Sequence, residues 1–455
     1  MDKSTEELAR YAASFCYEDL PPEVVHETKR KLIDTLGCAL GAFNAEPCRI
    51  ARALARRSIG EPSACILGSQ DLSTPEQAAF ANGVMVRCED FNDSYLSTAS
   101  CHPSDSWSAV LAVADAMHAD GKAVIASAAL AYEVSCNFAD IMPRERGLDN
   151  VFYDVVGSAV GAAKVLDLNK ELMAHAIAFA IVPNVTLEQT RLGELSMWKG
   201  GAGANAARNG TFAALLAHEG MTGPKDVIEG KWGLWNLLGH TFEWAPFGGR
   251  GGPYRIAQTH LKYYPGVVHA QSPISAALLL HPQVRSDDIE TVVLETYWVA
   301  KRYTNRDSPL WRPTTTETAD HSIPYLTAAA LMDGDINAAT MTETRIRDPK
   351  LLGLMAKMSV RENAEFEAAY PAQFQCRIEV AARNGERKSA HVKYFKGHVK
   401  SPLTDVEVEA KFRTLTADTV DPRQADAILA KVWQLDQVKD IGEVLALCKI
   451  RGSGR

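Results

Sequence analysis

The sequence predicts a mainly α protein: a large all-helical domain interrupted by a smaller α+β lid domain. Three observations lead there. Ala-rich stretches with apolar residues near helical spacing recur from residue 3 to about 265. After Tyr264-Pro265-Gly266 the texture turns to β-branched and aromatic residues in partial alternation. From residue 404 the amphipathic helical pattern returns. The predicted organisation is therefore residues 1–265 as the first part of the helical domain, 266–402 as the α+β lid, and 403–450 as C-terminal helices that complete the helical domain. A cleft between the two domains is the default place for a ligand.

Each element has a local reason. P-P-E-V-V-H-E-T-K-R-K-L-I-D-T-L-G-C-A-L-G opens with prolines suited to a helix start and places Val25, Leu32, Leu36 and Leu40 near helical spacing. Ala-rich runs at 108–119, 124–141, 155–166, 170–182 and 202–219 supply further helices, whose small residues permit close approach. Residues 288–303 read as strand-like. The run F-Q-C-R-I-E-V, then Asn384-Gly385, then K-S-A-H-V-K-Y-F, is a hairpin signal. Helical segments near 268–280, 321–332 and 341–356 are interleaved with these. V-E-V-E-A-K-F and A-D-A-I-L-A-K-V-W-Q-L return to helix.

Bulk properties narrow the function. The chain has 455 residues, room for two or three domains, and an ordinary globular share of apolar residues, 46%. A net charge of −8 argues against nucleic acid or an anionic membrane as the main partner, because both select a broad basic face. A small anionic substrate stays compatible, since a few cations in one pocket suffice. The charged start, Met1-Asp2-Lys3, is unlike a secretory leader. No uninterrupted apolar run reaches about 18 residues, so no membrane span is expected. Nine scattered cysteines, odd in number and without C-x-x-C, suit reduced thiols in a cytoplasmic protein. Residues 452–455, G-S-G-R, read as a flexible end.

The chemistry concentrates in C-E-D-F-N-D-S-Y-L-S-T-A-S-C-H-P-S-D-S-W at 88–107. Asp90, Asp93, Ser94, His102, Ser104 and Asp105 crowd together there, and Pro103 pushes His102 out of helical conformation onto a loop. A solvated surface loop with an incidental histidine is the competing reading. Three other clusters join it. Lys199 enters a Gly-rich turn, M-W-K-G-G-A-G, able to offer ammonium and backbone N–H groups to an anion; a solvated lysine at a helix start is the alternative. Lys262, in L-K-Y-Y-P, precedes His269-Ala270-Gln271 at the domain boundary. Asp320-His321-Ser322-Ile323-Pro324-Tyr325 is either a tuned acid–base pair or a helix cap. Zinc, EF-hand and nucleophile-elbow patterns are missing. Asp90, Asp93 and His102 are the best metal-ligand set, and a weak one.

Such groups suit removal of a proton beside a carboxylate with expulsion of a neighbouring hydroxide. His102 and Asp90 would move protons, and Lys199 and Lys262 would clamp carboxylates. The order and spacing of several runs resemble the MmgE/PrpD family. These are K-R-K-L-I-D-T-L-G-C-A-L-G at 29–41, D-F-N-D-S-Y with C-H-P-S-D at 90–105, S-M-W-K at 196–199, K-Y-Y-P and H-A-Q at 262–271, D-H-S-I-P-Y at 320–325, and Y-P-A-Q-F-Q-C-R at 370–377. The resemblance spans nearly the whole chain. It implies a homodimer that uses neither metal nor organic cofactor. It also implies a helical domain with a lid, and a small anionic polycarboxylate as substrate. By resemblance, Asp90, Ser94, His102, Lys199 and Lys262 fall on active-site positions; Asp93, His269, His321, Tyr325 and Tyr153 are the further candidates for holding substrate. The leading expectation is a hydro-lyase acting on a citrate-like polycarboxylate such as 2-methylcitrate. An epimerase or isomerase of a dicarboxylate of the iminodisuccinate kind, a cis-aconitate-type decarboxylase, or a non-catalytic polycarboxylate binder are the alternatives. One departure matters: many relatives carry a second active-site histidine where this chain has Asn150, which cannot shuttle a proton, so Tyr153 or Asp154 substitutes or the reaction differs. Ser94 and Tyr95, where relatives often have Thr and Trp, point to a side branch as well.

Overall fold

The computed structural model of the chain describes residues 1–143, 147–304 and 306–450; the 452–455 end lies outside them. Two hydrophobic cores organise it. The larger is built from Leu8 through Leu261 together with Leu403 through Cys448. The smaller is built from Val267 through Phe395, joined by Leu96.

The larger core is helical. Pro22–Gly41 carries proline in its first turn, where the missing N–H has no intrahelical role. Trp107–Ala116, Gly121–Ile141, Val151–Val165, Lys170–Ile181 and Trp198–His218 stack into a bundle. Their facing residues are small: Ala206, Ala207, Ala213 and Ala214 are all buried. Gly121–Ile141 is long and apolar enough to cross a membrane by composition, yet 89% of its apolar window is buried inside the protein, as befits a central core helix.

The smaller core packs helices Gln271–Leu280 and Ile323–Asp333 on a four-stranded sheet. Strand Met358–Glu362 runs parallel to Ile289–Thr296, which pairs antiparallel with Cys376–Ala382, itself antiparallel to Arg387–Val392. The last two form the hairpin expected at Asn384-Gly385. Ala381 pairs with Arg387, so the loop is the longer, bulged kind, with Gly385 at φ +86° supplying the left-handed residue. The strand-like texture of 288–303 is strand only to Thr296; Trp298–Arg302 is helical. Met358–Glu362 and Ala364–Ala369 were not anticipated, since runs this short carry too little periodicity.

The C-terminal helices Asp405–Thr416 and Pro422–Trp433 return to the larger core. A capping box opens the first: Thr404 bonds the Glu407 N–H and Glu407 reaches back. Its Lys411 is buried and does more than pack. The ammonium meets Asp34 Oδ1 at 2.6 Å and donates to the carbonyls of Phe91 and Lys262, both at 2.8 Å. One side chain from the end of the sequence thus holds the helix Pro22–Gly41 and two loops together.

Removing one partner of a buried ion pair leaves the other uncompensated. Lys411→Ala should lower stability in urea unfolding by about 3–5 kcal/mol. The double variant Asp34→Asn/Lys411→Met should recover much of that loss; an additive double loss would mean that Lys411 acts through its backbone-carbonyl bonds alone.

Candidate active site

The loop after helix Pro75–Arg87 turns sharply, with Asp90 at φ +50°, and points a fully buried carboxylate at a ring of cations. Arg87 Nη1 binds Asp90 Oδ1 directly, and Lys262 Nζ lies 3.0 Å from the same oxygen and 2.7 Å from the Asp90 carbonyl. Lys199 Nζ lies 4.0 Å from Asp90 Oδ2 and 2.6 Å from Asp320 Oδ2. His321 presents Nε2 at 3.8 Å from Asp90 Oδ2 while its Nδ1 bonds Asp320 Oδ1. Burial alone would raise the Asp90 pKa; Arg87, Lys199 and Lys262 outweigh it and hold the carboxyl well below the usual range.

Two domains meet at this cluster. Asp90, Lys199 and Arg87 come from the helical part, and Asp320 and His321 from the lid. Gly266 crosses between them at φ +121°, where a Cβ would stand 2.8 Å from the Asp320 carbonyl oxygen. The next residue, Val267, donates its N–H to that carbonyl at 2.8 Å. Gln271 clamps the adjoining Lys262–Pro265 run, accepting from the N–H groups of Tyr263 and Tyr264.

His102 follows a small hairpin, Tyr95–Leu96 against Ser100–Cys101, and lies at φ −119° as its proline neighbour requires. Its Nδ1 is 2.7 Å from the Asp93 carbonyl and 3.1 Å from Ser94 Oγ. A carbonyl only accepts, so Nδ1 carries the proton and Nε2 keeps its lone pair. Burial, reinforced by Arg87 and Lys262, drives the His102 pKa well below 6.5, so the ring stays neutral.

A continuous cleft runs between the domains, three adjoining cavities sharing Arg191 and Tyr303. Asp90, His102, His321, His269, Arg87 and Arg191 wall its inner end, along with Ser94 and Asn150. Several sequence expectations change here. Lys199 and Lys262 do not reach the cavity wall: both are fully buried behind Asp90, so the cations at the inner end are Arg87 and Arg191, and Arg302 lines the two cavities beyond it. The Gly-rich run after Lys199 is no anion nest, because it lies inside helix Trp198–His218; Gly203 is needed since a Cβ there would fall 2.0 Å from Asp105 Oδ2. The Asp93 carboxylate is turned away, bound by Tyr132 OH at 2.7 Å and the Ser104 N–H at 3.1 Å, and only its carbonyl serves the site. Tyr325 is not brought to the cleft, its hydroxyl donating to the Thr340 carbonyl. Ser322 caps helix Ile323–Asp333, which frees Asp320 and His321 for the cluster. His269 reaches the cleft with Nδ1 2.8 Å from Tyr297 OH. Tyr153 lines only the outer cavity, and Asp154 is buried away from it, its pKa driven far up by desolvation.

Arg87, Arg191 and Tyr303 are the wall residues that sequence reasoning missed. Arg87 lies at a helix end and Arg191 in the turn Glu188–Arg191, both looking like ordinary surface arginines in the sequence. As for metals, the weak candidate trio Asp90, Asp93 and His102 does not converge. Among the described residues the converging ligand atoms are those of Asp90, Asp320 and His321, within 4.8 Å of one another. These fit a metal poorly: Lys199 already sits against both carboxylates, and Arg87 and Lys262 fill out the positive charge around Asp90.

The titrations separate. Burial lowers Lys262 to about 8, only partly offset by Asp90. Above that pH the site loses a cation, so kcat/KM should fall through pH 8. The unfolded chain binds more protons at Lys262 across this window, so the group's contribution to stability rises there and thermal unfolding should show no parallel loss. On the acid side the sign is the same, because these groups too are lowered in the folded chain. His102 and His321 are held neutral below 6.5, so the unfolded state takes up more protons and Tm should drop as pH falls below 6.5. A kcat/KM that stays level beyond pH 9 would contradict the assignment to Lys262.

Comparison with known proteins agrees with this architecture. Residues 6–246 match the model of the MmgE/PrpD N-terminal domain and residues 264–436 that of the MmgE/PrpD C-terminal domain. A 2-methylcitrate dehydratase of Cupriavidus necator is 29% identical over 448 residues, covering 91% of this chain and 90% of the relative. The 2-methylcitrate dehydratase of Escherichia coli K12 is 28% identical over 396 residues, covering 81% and 79%. The human cis-aconitate decarboxylase is 25% identical over 472 residues, covering 98% and 94%. With both domain models matched in order along its length, the chain belongs to the MmgE/PrpD family.

Proposed function

We propose that the protein is a lyase that removes water from a citrate-like polycarboxylate by abstracting a proton next to a carboxylate. The observation that carries this reading is His102: a neutral imidazole with its lone pair left on Nε2, beside a buried cluster in which Arg87, Lys199 and Lys262 outnumber the carboxylates of Asp90 and Asp320. His102 takes the proton from the substrate carbon. Arg87 and Arg191 hold carboxylates, and the positive field stabilises the charge that builds on the one next to the reacting carbon. The electron pair forms the double bond, and the hydroxyl leaves as water with the proton that His102 has just taken from the carbon, which returns the imidazole to its neutral form. The dehydratase relatives support the reaction type.

A second reading is an epimerase or isomerase of a dicarboxylate. Asn150 in the cavity wall favours it, because an amide there removes one proton donor, while His102 and His321 remain as two bases. Proton NMR in D₂O against 2-methylcitrate, citrate, cis-aconitate and iminodisuccinate separates the two. A vinyl signal from a citrate is expected. Deuterium entering a carbon without an alkene would replace dehydration by epimerisation. His102→Ala should lower kcat about 10²–10⁴-fold while ligand-induced thermal stabilisation persists.

The family resemblance also supports a homodimer. The stretch 182–198 exposes Val182, Val185, Leu187, Leu192, Met197 and Trp198, an apolar load that a second copy would cover. Light scattering should give about twice 49.6 kDa, and Val185→Glu should reduce it to the single-chain mass; a wild-type mass of one chain would remove this reading.

A further inference from the structure

Two polar atoms in the cleft are shut from solvent and lack a hydrogen-bond partner: Asn150 Oδ1 and Arg191 Nη2. Both residues wall the same inner cavity and the outer one beside it. Their segments are joined: Leu148 bridges to Leu187, the Asp149 N–H donates to the Thr186 carbonyl at 3.0 Å, and Arg191 Nε lies 3.1 Å from Asp149 Oδ2. Arg191 Nη1 donates to the Lys199 carbonyl at 3.1 Å, so two of its three nitrogens are anchored and the third is left over. Asn150 Nδ2 leans on Ser100 Oγ at 3.5 Å, which leaves Oδ1 as the unused atom.

A buried donor or acceptor without a partner is costly, and a ligand that supplies the partner recovers that cost. The leftover pair is one cationic donor and one neutral acceptor, on residues that line the same cavity. The complementary ligand fragment is a carboxylate next to a carbon that bears an O–H or N–H. We propose that Asn150 and Arg191 are a recognition pair that selects polycarboxylates carrying a hydroxyl or amino group beside a carboxylate: Arg191 binds the carboxylate and Asn150 accepts the hydrogen bond from its neighbour. The proposal rests on the polycarboxylate reading above and adds where selectivity resides. Asn150 is then a specificity residue that holds the substituent without exchanging a proton with it, which leaves proton transfer to the histidines.

Citrate and tricarballylate differ only in citrate's hydroxyl, so isothermal titration of both tests the pair. Wild type should bind citrate about tenfold more tightly. Asn150→Leu should erase that preference and leave tricarballylate binding unchanged. Arg191→Gln should weaken both ligands by at least about tenfold. Equal affinities in wild type, a preference that survives Asn150→Leu, or undiminished binding by Arg191→Gln would each overturn the proposal, and the first needs no variant to fold. Failure of wild type to bind either triacid would instead overturn the polycarboxylate reading itself.

Discussion

The Asp90 carboxylate, 1% exposed and ringed by Arg87, Lys199, Lys262 and His321, is the constraint around which the rest is arranged. An unpaired carboxylate at this depth would be neutralised or would unfold its surroundings, so each cation has to be delivered accurately. That requirement explains features far apart in the sequence. Asp90 is bent to a positive φ, Gly266 leaves room for the crossing chain, and Gln271 clamps the backbone beside Lys262. Lys411, from a helix near the C-terminus, grips the carbonyls of Phe91 and Lys262 on both sides of the cluster. The same charges bridge the domains, because Lys199 is shared between Asp90 and Asp320. Domain docking and site assembly are therefore one event.

The site divides its labour by depth. The lysines are too deep to touch a ligand, and they act by fixing Asp90 and by making the local field positive. The arginines lie at the wall, where a planar, permanently charged group suits carboxylates. The histidines lie between the two layers, buried enough to be neutral and close enough to the cavity to exchange protons. A polar ligand of matching negative charge restores what burial has taken from these groups, whereas an apolar one would leave them unpaired.

Much of this was legible in the sequence, for identifiable reasons. Long Ala-rich runs fixed the helices because 3.6-residue periodicity accumulates over many turns, and Asn384-Gly385 marked the hairpin through backbone chemistry alone. Asp90, His102 and His321 stood out because titratable residues are rare next to proline and small residues in an apolar chain. Depth was not legible. Lys199 looked like a free cation because nothing local reveals that Asp320, 121 residues away, meets it. Asp93 looked like a residue for holding substrate because nothing local shows which way its carboxylate turns, and the backbone turns it onto Tyr132 and the Ser104 N–H. Arg87 and Arg191 were invisible for the opposite reason: an arginine at a helix end or in a turn is ordinary until a cavity opens beside it.

The placement of Asn150 bears on how one framework supports different reactions. Asp90, His102, Lys199 and Lys262 are locked by contacts that also hold the fold, so changing any of them costs stability as well as chemistry. Asn150 sits just ahead of helix Val151–Val165, and Arg191 ends the turn Glu188–Arg191. Neither belongs to the Asp90 cluster. Substitution at Asn150 alters what the cavity offers a ligand while leaving the charge cluster intact, and with it the docking of the lid. Selectivity can therefore drift on the wall of the cleft while the means of moving a proton beside a carboxylate stays fixed behind it.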